Sequence, residues 1–65
     1  MIIVKLIRDL MSQQDLTIGG LARLTGLAYT VIEDVVLRDA IPTPVDADIM
    51  LRALGVKLED VLKLY

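Results

Sequence analysis

Residues 16–27 read Leu-Thr-Ile-Gly-Gly-Leu-Ala-Arg-Leu-Thr-Gly-Leu, and this run restricts the fold more than any other stretch of the chain. Thr17 offers a side-chain oxygen to the unpaired N–H groups that open a helix, which makes it an N-cap candidate. Leu21 and Ala22 fall where a short helix turns inward. Gly26 suits the left-handed backbone that ends helices, and a second periodic segment begins almost at once, from Ala28. The expectation is two short helices joined by a three- or four-residue turn containing Gly. Gly19-Gly20 sits awkwardly in it, since each Gly costs about 1 kcal/mol relative to Ala inside a helix. The pair reads either as a weak helix start or as a place where a neighbouring helix or a phosphate comes close.

The remaining chain divides into helices around that unit. A first helix is expected over about 2–13, with Ile3, Ile7, Leu10 and Met11 on one face and Lys5, Arg8 and Asp9 turned away. Ser12-Gln13-Gln14-Asp15 is a polar stop. The second helix covers about 18–25. The third, about 29–37, is rich in β-branched residues and so resembles a strand in composition; helical flanks and the lack of a pairing partner favour helix. Residues 38–42 read as a loop. Thr43-Pro44-Val45-Asp46 opens a fourth helix, with Thr43 as cap, Pro44 at the first helical position and Asp46 where a capping-box acid lies. Ile49, Met50, Ala53 and Leu54 supply its inner face and Gly55 ends it. A fifth helix spans about 58–64. The expected core is Ile7, Leu10, Leu21, Ala22, Ile32, Val35, Met50, Ala53, Leu54 and Leu58.

The 65 residues make one domain, residues 1–65, and a domain this small buries only about 60% of the surface its unfolded chain exposes. Without Cys or His, disulfides, thiol chemistry, Cys or His metal sites and His acid–base chemistry are excluded. The Met-Ile-Ile-Val start, broken by Lys5 and Arg8, lacks the features of a signal peptide, and no stretch approaches the roughly 18 apolar residues of a membrane span; a cytoplasmic setting is expected. Hydrophobic residues reach 55%, which leads us to expect an exposed apolar patch. Tyr29 and Tyr65 are the only aromatics, too few for stacking on single strands. A net charge of −2 argues against strong electrostatic binding to nucleic acid. The carboxylate pairs Glu33-Asp34, Asp46/Asp48 and Glu59-Asp60 read as caps and solvated charges rather than catalytic groups, and no run resembles a calcium loop. We expect neither an enzyme nor a cofactor.

Leu16-Thr17, Leu21-Ala22, Gly26-Leu27, Ile32 and the later Ala53-Leu54-Gly55-Val56, followed by Leu58-Glu59-Asp60-Val61-Leu62, together resemble the small DNA-binding domain of phage Cro and lambda-type repressors, over about residues 3 to 62. The resemblance implies an all-α, five-helix lambda-repressor-like bundle whose second and third helices form a helix-turn-helix. It implies a repressor-type transcription regulator that binds operator DNA as a homodimer. Many members of the family bury an Arg near the end of the first helix against a Glu near the end of the third. The matching positions here are Met11 and Val36, so both partners are apolar together. A lone buried charge costs several kcal/mol, whereas replacing both members by packed apolar groups is often neutral; the two are expected to touch in the core.

By the same resemblance, Ala28, Tyr29, Thr30 and Asp34, with Glu33 beside them, meet base edges; Thr17 and Arg38 are further candidates at the DNA surface, and Arg23, on helix two, reads either as a phosphate contact or as part of a solvated helix face. The chain departs from the family at these points. Glu33 and Asp34 only accept hydrogen bonds when ionised, Ile18 stands where a polar phosphate donor is common, and the loop after helix three, Arg38-Asp39-Ala40-Ile41, is not basic. Bare N–H groups at the starts of helices two and three remain suited to phosphate. Two functions therefore stay open: operator binding, or a helix-turn-helix fold used for protein contact through the apolar outer face of helix three, with Val31 and Leu37. For the dimer, Leu58, Val61 and Leu62 are spaced to face the core and Leu64 and Tyr65 to point outward. The family implies a two-fold interface around Val61, Leu64 and Tyr65; the alternative is that Leu64 and Tyr65 fold back onto helix one.

Overall fold

The computed structural model describes residues 2–62 and is helical throughout, with no strand among the described residues. The elements are α1 (Ile2–Gln13), α2 (Ile18–Thr25), α3 (Tyr29–Arg38), α4 (Pro44–Ala53) and α5 (Leu58–Leu62). None of these helices is long and apolar enough to cross a membrane.

Local chemistry fixes the boundaries. Thr17 has extended backbone, and its Oγ1 accepts from the Gly20 N–H at 3.0 Å. Thr43 does the same for the Asp46 N–H at 3.2 Å, with Pro44 supplying the preset φ of a first helical residue. The helix ends share a second device. At the end of α4 the Val56 N–H reaches back to the Leu51 carbonyl at 2.8 Å and the Gly55 N–H to Arg52 at 3.0 Å, with Gly55 at φ 90°. This is a Schellman closure, which needs one left-handed residue. The end of α1 closes identically, Leu16 N–H to Met11 at 2.8 Å and Asp15 N–H to Ser12 at 3.2 Å, but with Asp15 at φ 51° in the left-handed position. A side chain there strains the backbone, and Asp tolerates it better than most residues. Asp15→Gly should therefore raise stability by roughly 0.5–1 kcal/mol, read as a Tm increase of a few degrees. A lower Tm would show that the Asp15 side chain contributes more than its backbone strain costs.

The helices pack α2 on α3 and α4, α1 on α3 and α4, and α5 on α4. The core cluster draws Val4, Ile7 and Met11 from α1, Leu21 from α2, Ile32 and Val35 from α3, Met50, Leu51 and Leu54 from α4 and its cap, and Val61 from α5. Ala47 is also buried, and among the described residues no polar or charged residue is. The Gln14 side chain ties the ends of α1 and α4 together by donating to the Leu54 carbonyl at 2.8 Å.

The β-branched segment is helix, as expected, with Ile32 and Val35 buried three residues apart on its inner side. Other expectations shift. This helix runs through Arg38, so that residue belongs to the last turn of α3 and not to a loop. On α1 the buried stripe is Val4, Ile7 and Met11, while Ile3 and Leu10 are half-buried against it. On α4 the buried face is Ala47, Met50, Leu51 and Leu54, with Ile49 and Ala53 half-buried. Ala22 is half-buried too. Met11 lies inside the cluster and Val36 packs against it from a half-buried position. The expectations for the Leu58 and Leu62 side chains and for Leu64 and Tyr65 lie outside the described residues.

Candidate nucleic-acid interface

Three residues, Gly26 to Ala28, connect α2 to α3, and the sequence makes the connection rigid. Gly26 takes φ 75°, and its N–H donates to the Ala22 carbonyl at 2.9 Å. The Thr25 hydroxyl donates to the Leu21 carbonyl at 2.8 Å and accepts from the Leu27 N–H at 3.2 Å, so one side chain bonds both the end of α2 and the turn beyond it. Leu27 then packs against the core. Ala28 is extended, which starts α3 without any side-chain cap.

This turn sets the start of α3 beside the start of α2. A Cβ placed on Gly19 would sit 4.0 Å from the Tyr29 ring and 4.0 Å from the Thr17 hydroxyl oxygen, so Tyr29 lies over the first turn of α2. Gly20 resolves the question of the glycine pair differently: its added Cβ would stand 2.9 Å from the Leu16 side chain and 3.2 Å from Thr17 Oγ1. The close approach is made by the residues just before α2, not by another helix. Each helix opens with N–H groups that have no partner inside the helix. At α3 the Val31 and Ile32 N–H groups turn to the Ala28 carbonyl, while those of Tyr29 and Thr30 have no hydrogen-bond partner among the described residues and no side-chain cap competes for them.

Of the residues expected at a DNA surface, Thr17, Arg23, Ala28, Tyr29 and Thr30 are all exposed. Thr17, Tyr29 and the neighbouring backbone form one continuous patch. Arg23 stands in the last turn of α2 and makes no ion pair among the described residues. Glu33 and Asp34 lie in the middle of α3 and meet Arg38 of its last turn. Arg38 Nη1 donates to Asp34 Oδ1 at 2.6 Å and to Glu33 Oε1 at 3.2 Å. The hydrogen bonds to Asp34 first and Glu33 second hold the guanidinium above its ordinary pKa. Asp39, the left-handed C-cap of α3, is taken by Arg8 of α1 at 2.7 Å.

The expected dimer residue Val61 is only 3% exposed and packs in the core of its own chain, so it presents no surface to a second copy. The other two, Leu64 and Tyr65, lie outside the described residues. Val31, expected on an apolar outer face of α3, is half-buried against the core, whereas Leu37 on the same helix is 65% exposed. Sequence reasoning missed the clasp on Arg38, although a carboxylate four residues before an Arg is its ordinary signal on a helix. No family model matches the chain, and comparison with curated proteins and with solved structures gave no match either.

Proposed function

We propose that this chain is a small transcription regulator of the Cro and lambda-repressor type, in which α2 and α3 form a helix-turn-helix that binds operator DNA as a homodimer. One observation carries the reading. Two helices joined by a rigid three-residue turn place an uncapped helix start, with exposed Tyr29 and Thr30, next to the capped start of α2. Unpartnered N–H groups and the helix dipole favour phosphate oxygens there. The Thr17 Oγ1 accepts within the chain, leaving its O–H free to donate outward. Tyr29 and Thr30 donate to and accept from base edges, while phosphate contacts by Arg23 and the backbone fix register. Two copies related by a two-fold axis set their third helices about 34 Å apart, one turn of duplex.

Fluorescence anisotropy with a labelled duplex of mixed sequence at low salt tests this. Arg23→Gln should weaken binding on every sequence, and Thr30→Ala should alter the preference among sequences. Failure of the chain to form any complex at tens of micromolar would overturn the reading.

A second reading is favoured by a specific observation: Leu24, Tyr29, Leu37, Ile41 and Val45 are 62%, 50%, 65%, 68% and 69% exposed. Leu37, Ile41 and Val45 follow one another at four-residue intervals, so neighbours among them lie within about 14 Å. Where such residues join into one apolar patch, the surface serves protein contacts. On that reading the same fold serves as a protein-interaction module around the end of α3 and the start of α4.

A further inference from the structure

Arg38 is the one cation that α3 carries, and it stands on the same helix as the candidate base-reading residues. Its side chain is 63% exposed, so nothing steric keeps a phosphate from it. What occupies it is the pair of carboxylates one turn back, bonded to the same nitrogen, Nη1. The third carboxylate of this region, Asp39, is held by Arg8 and does not compete.

We propose that Glu33 and Asp34 form an intramolecular clasp that occupies Arg38 in place of a DNA phosphate, and that this clasp sets how tightly the α2–α3 face binds duplex DNA. The inference rests on the DNA-binding reading given above. A phosphate and a carboxylate offer the guanidinium the same kind of partner, anionic oxygens at hydrogen-bond distance. Binding DNA through Arg38 therefore exchanges one such partner for another and leaves two carboxylates unpaired beside the phosphates. The exchange brings little net gain, because two bonds within the chain are given up for the phosphate contact, whereas a free Arg has none to lose. The clasp makes the face a weak binder until something else takes the carboxylates. A second basic chain, or a base edge offering a donor such as cytosine N4, has the chemistry to do so.

A mutant cycle separates this clasp from plain repulsion between carboxylates and phosphates. Duplex affinity and its salt dependence are measured for the unsubstituted chain, for Glu33→Gln with Asp34→Asn, for Arg38→Gln, and for all three changes together. All of these side chains lie at least partly at the surface, and thermal melts confirm that each variant is folded. Removing the two carboxylates should tighten binding and steepen the slope of log K against log salt by about 1 per protomer, as Arg38 gains a phosphate. In the Arg38→Gln background the same two changes should leave the slope unchanged and give a clearly smaller gain. An equal gain in both backgrounds would mean repulsion alone and would overturn the clasp while leaving DNA binding intact. No complex with any of the four proteins would overturn the DNA-binding reading, and the clasp with it.

Discussion

Met11→Arg should unfold most of the molecules at 25 °C, and adding Val36→Glu should restore part of the loss. Met11 is 5% exposed and sits in a cluster in which, among the described residues, no polar or charged side chain is buried. A guanidinium placed there has no partner. An unpaired buried charge costs about 3–5 kcal/mol, and a single core of this size rarely supplies more than about 3–5 kcal/mol of net stability. Val36 is half-buried against the same cluster from α3, which packs on α1. Val36→Glu alone should therefore cost much less than Met11→Arg, because its carboxylate can turn toward water. Together the two substitutions install the ion pair that the proposed resemblance to repressors implies for these positions. Urea denaturation followed by circular dichroism gives the three differences. A double variant no more stable than Met11→Arg would show that the two positions do not face each other, and the resemblance would fail where it is most specific.

Leu21→Ala should cost about 2–5 kcal/mol. Leu21 is 0% exposed and is the one fully buried residue of α2. It anchors that helix against α3 and α4, with Ile18 and Ala22 only partly buried beside it. Its loss removes transfer free energy, leaves a cavity and loosens the element that carries Thr17 and Arg23. Leu24→Ala, on the same helix but 62% exposed, should change stability by no more than about 0.5 kcal/mol. Thermal melts distinguish the two, and amide exchange should show protection lost first across residues 18–25 in the Leu21 variant. Equal costs for the two substitutions would mean that α2 is held by its outer side.

The helix boundaries were legible because they depend on local chemistry that single residues announce. Thr17, Gly26 and the Thr43-Pro44 pair each satisfy or block backbone groups at one place, and the structure puts the boundaries there. The rotation of each helix was less legible. In α1, Ile2, Ile3, Val4, Leu6 and Ile7 are all apolar, and in α4 Ile49, Met50 and Leu51 run consecutively. Such runs contain several possible stripes, and only packing against other helices chooses among them; hence Val4 is buried and Ile3 is not. The clasp on Arg38 was hidden by one residue of helix length. With α3 ended at 37, Arg38 belongs to a loop and has no fixed spacing from Asp34; with one more helical residue, the two stand one turn apart. The Gln14 bond to Leu54 spans forty residues of sequence, and no local pattern encodes it.

The central claim, that the α2–α3 face binds duplex DNA through phosphates, is tested most directly by a salt titration of binding to mixed-sequence duplex. Arg23 is the one exposed cation of that face without a carboxylate partner among the described residues, so the proposed dimer would release few counterions. The account predicts a complex at about 50 mM salt whose log K falls with log salt at a shallow slope near −2, roughly 0.9 for each of two phosphate contacts. No complex at that salt concentration, or an affinity that does not change with salt, would contradict it.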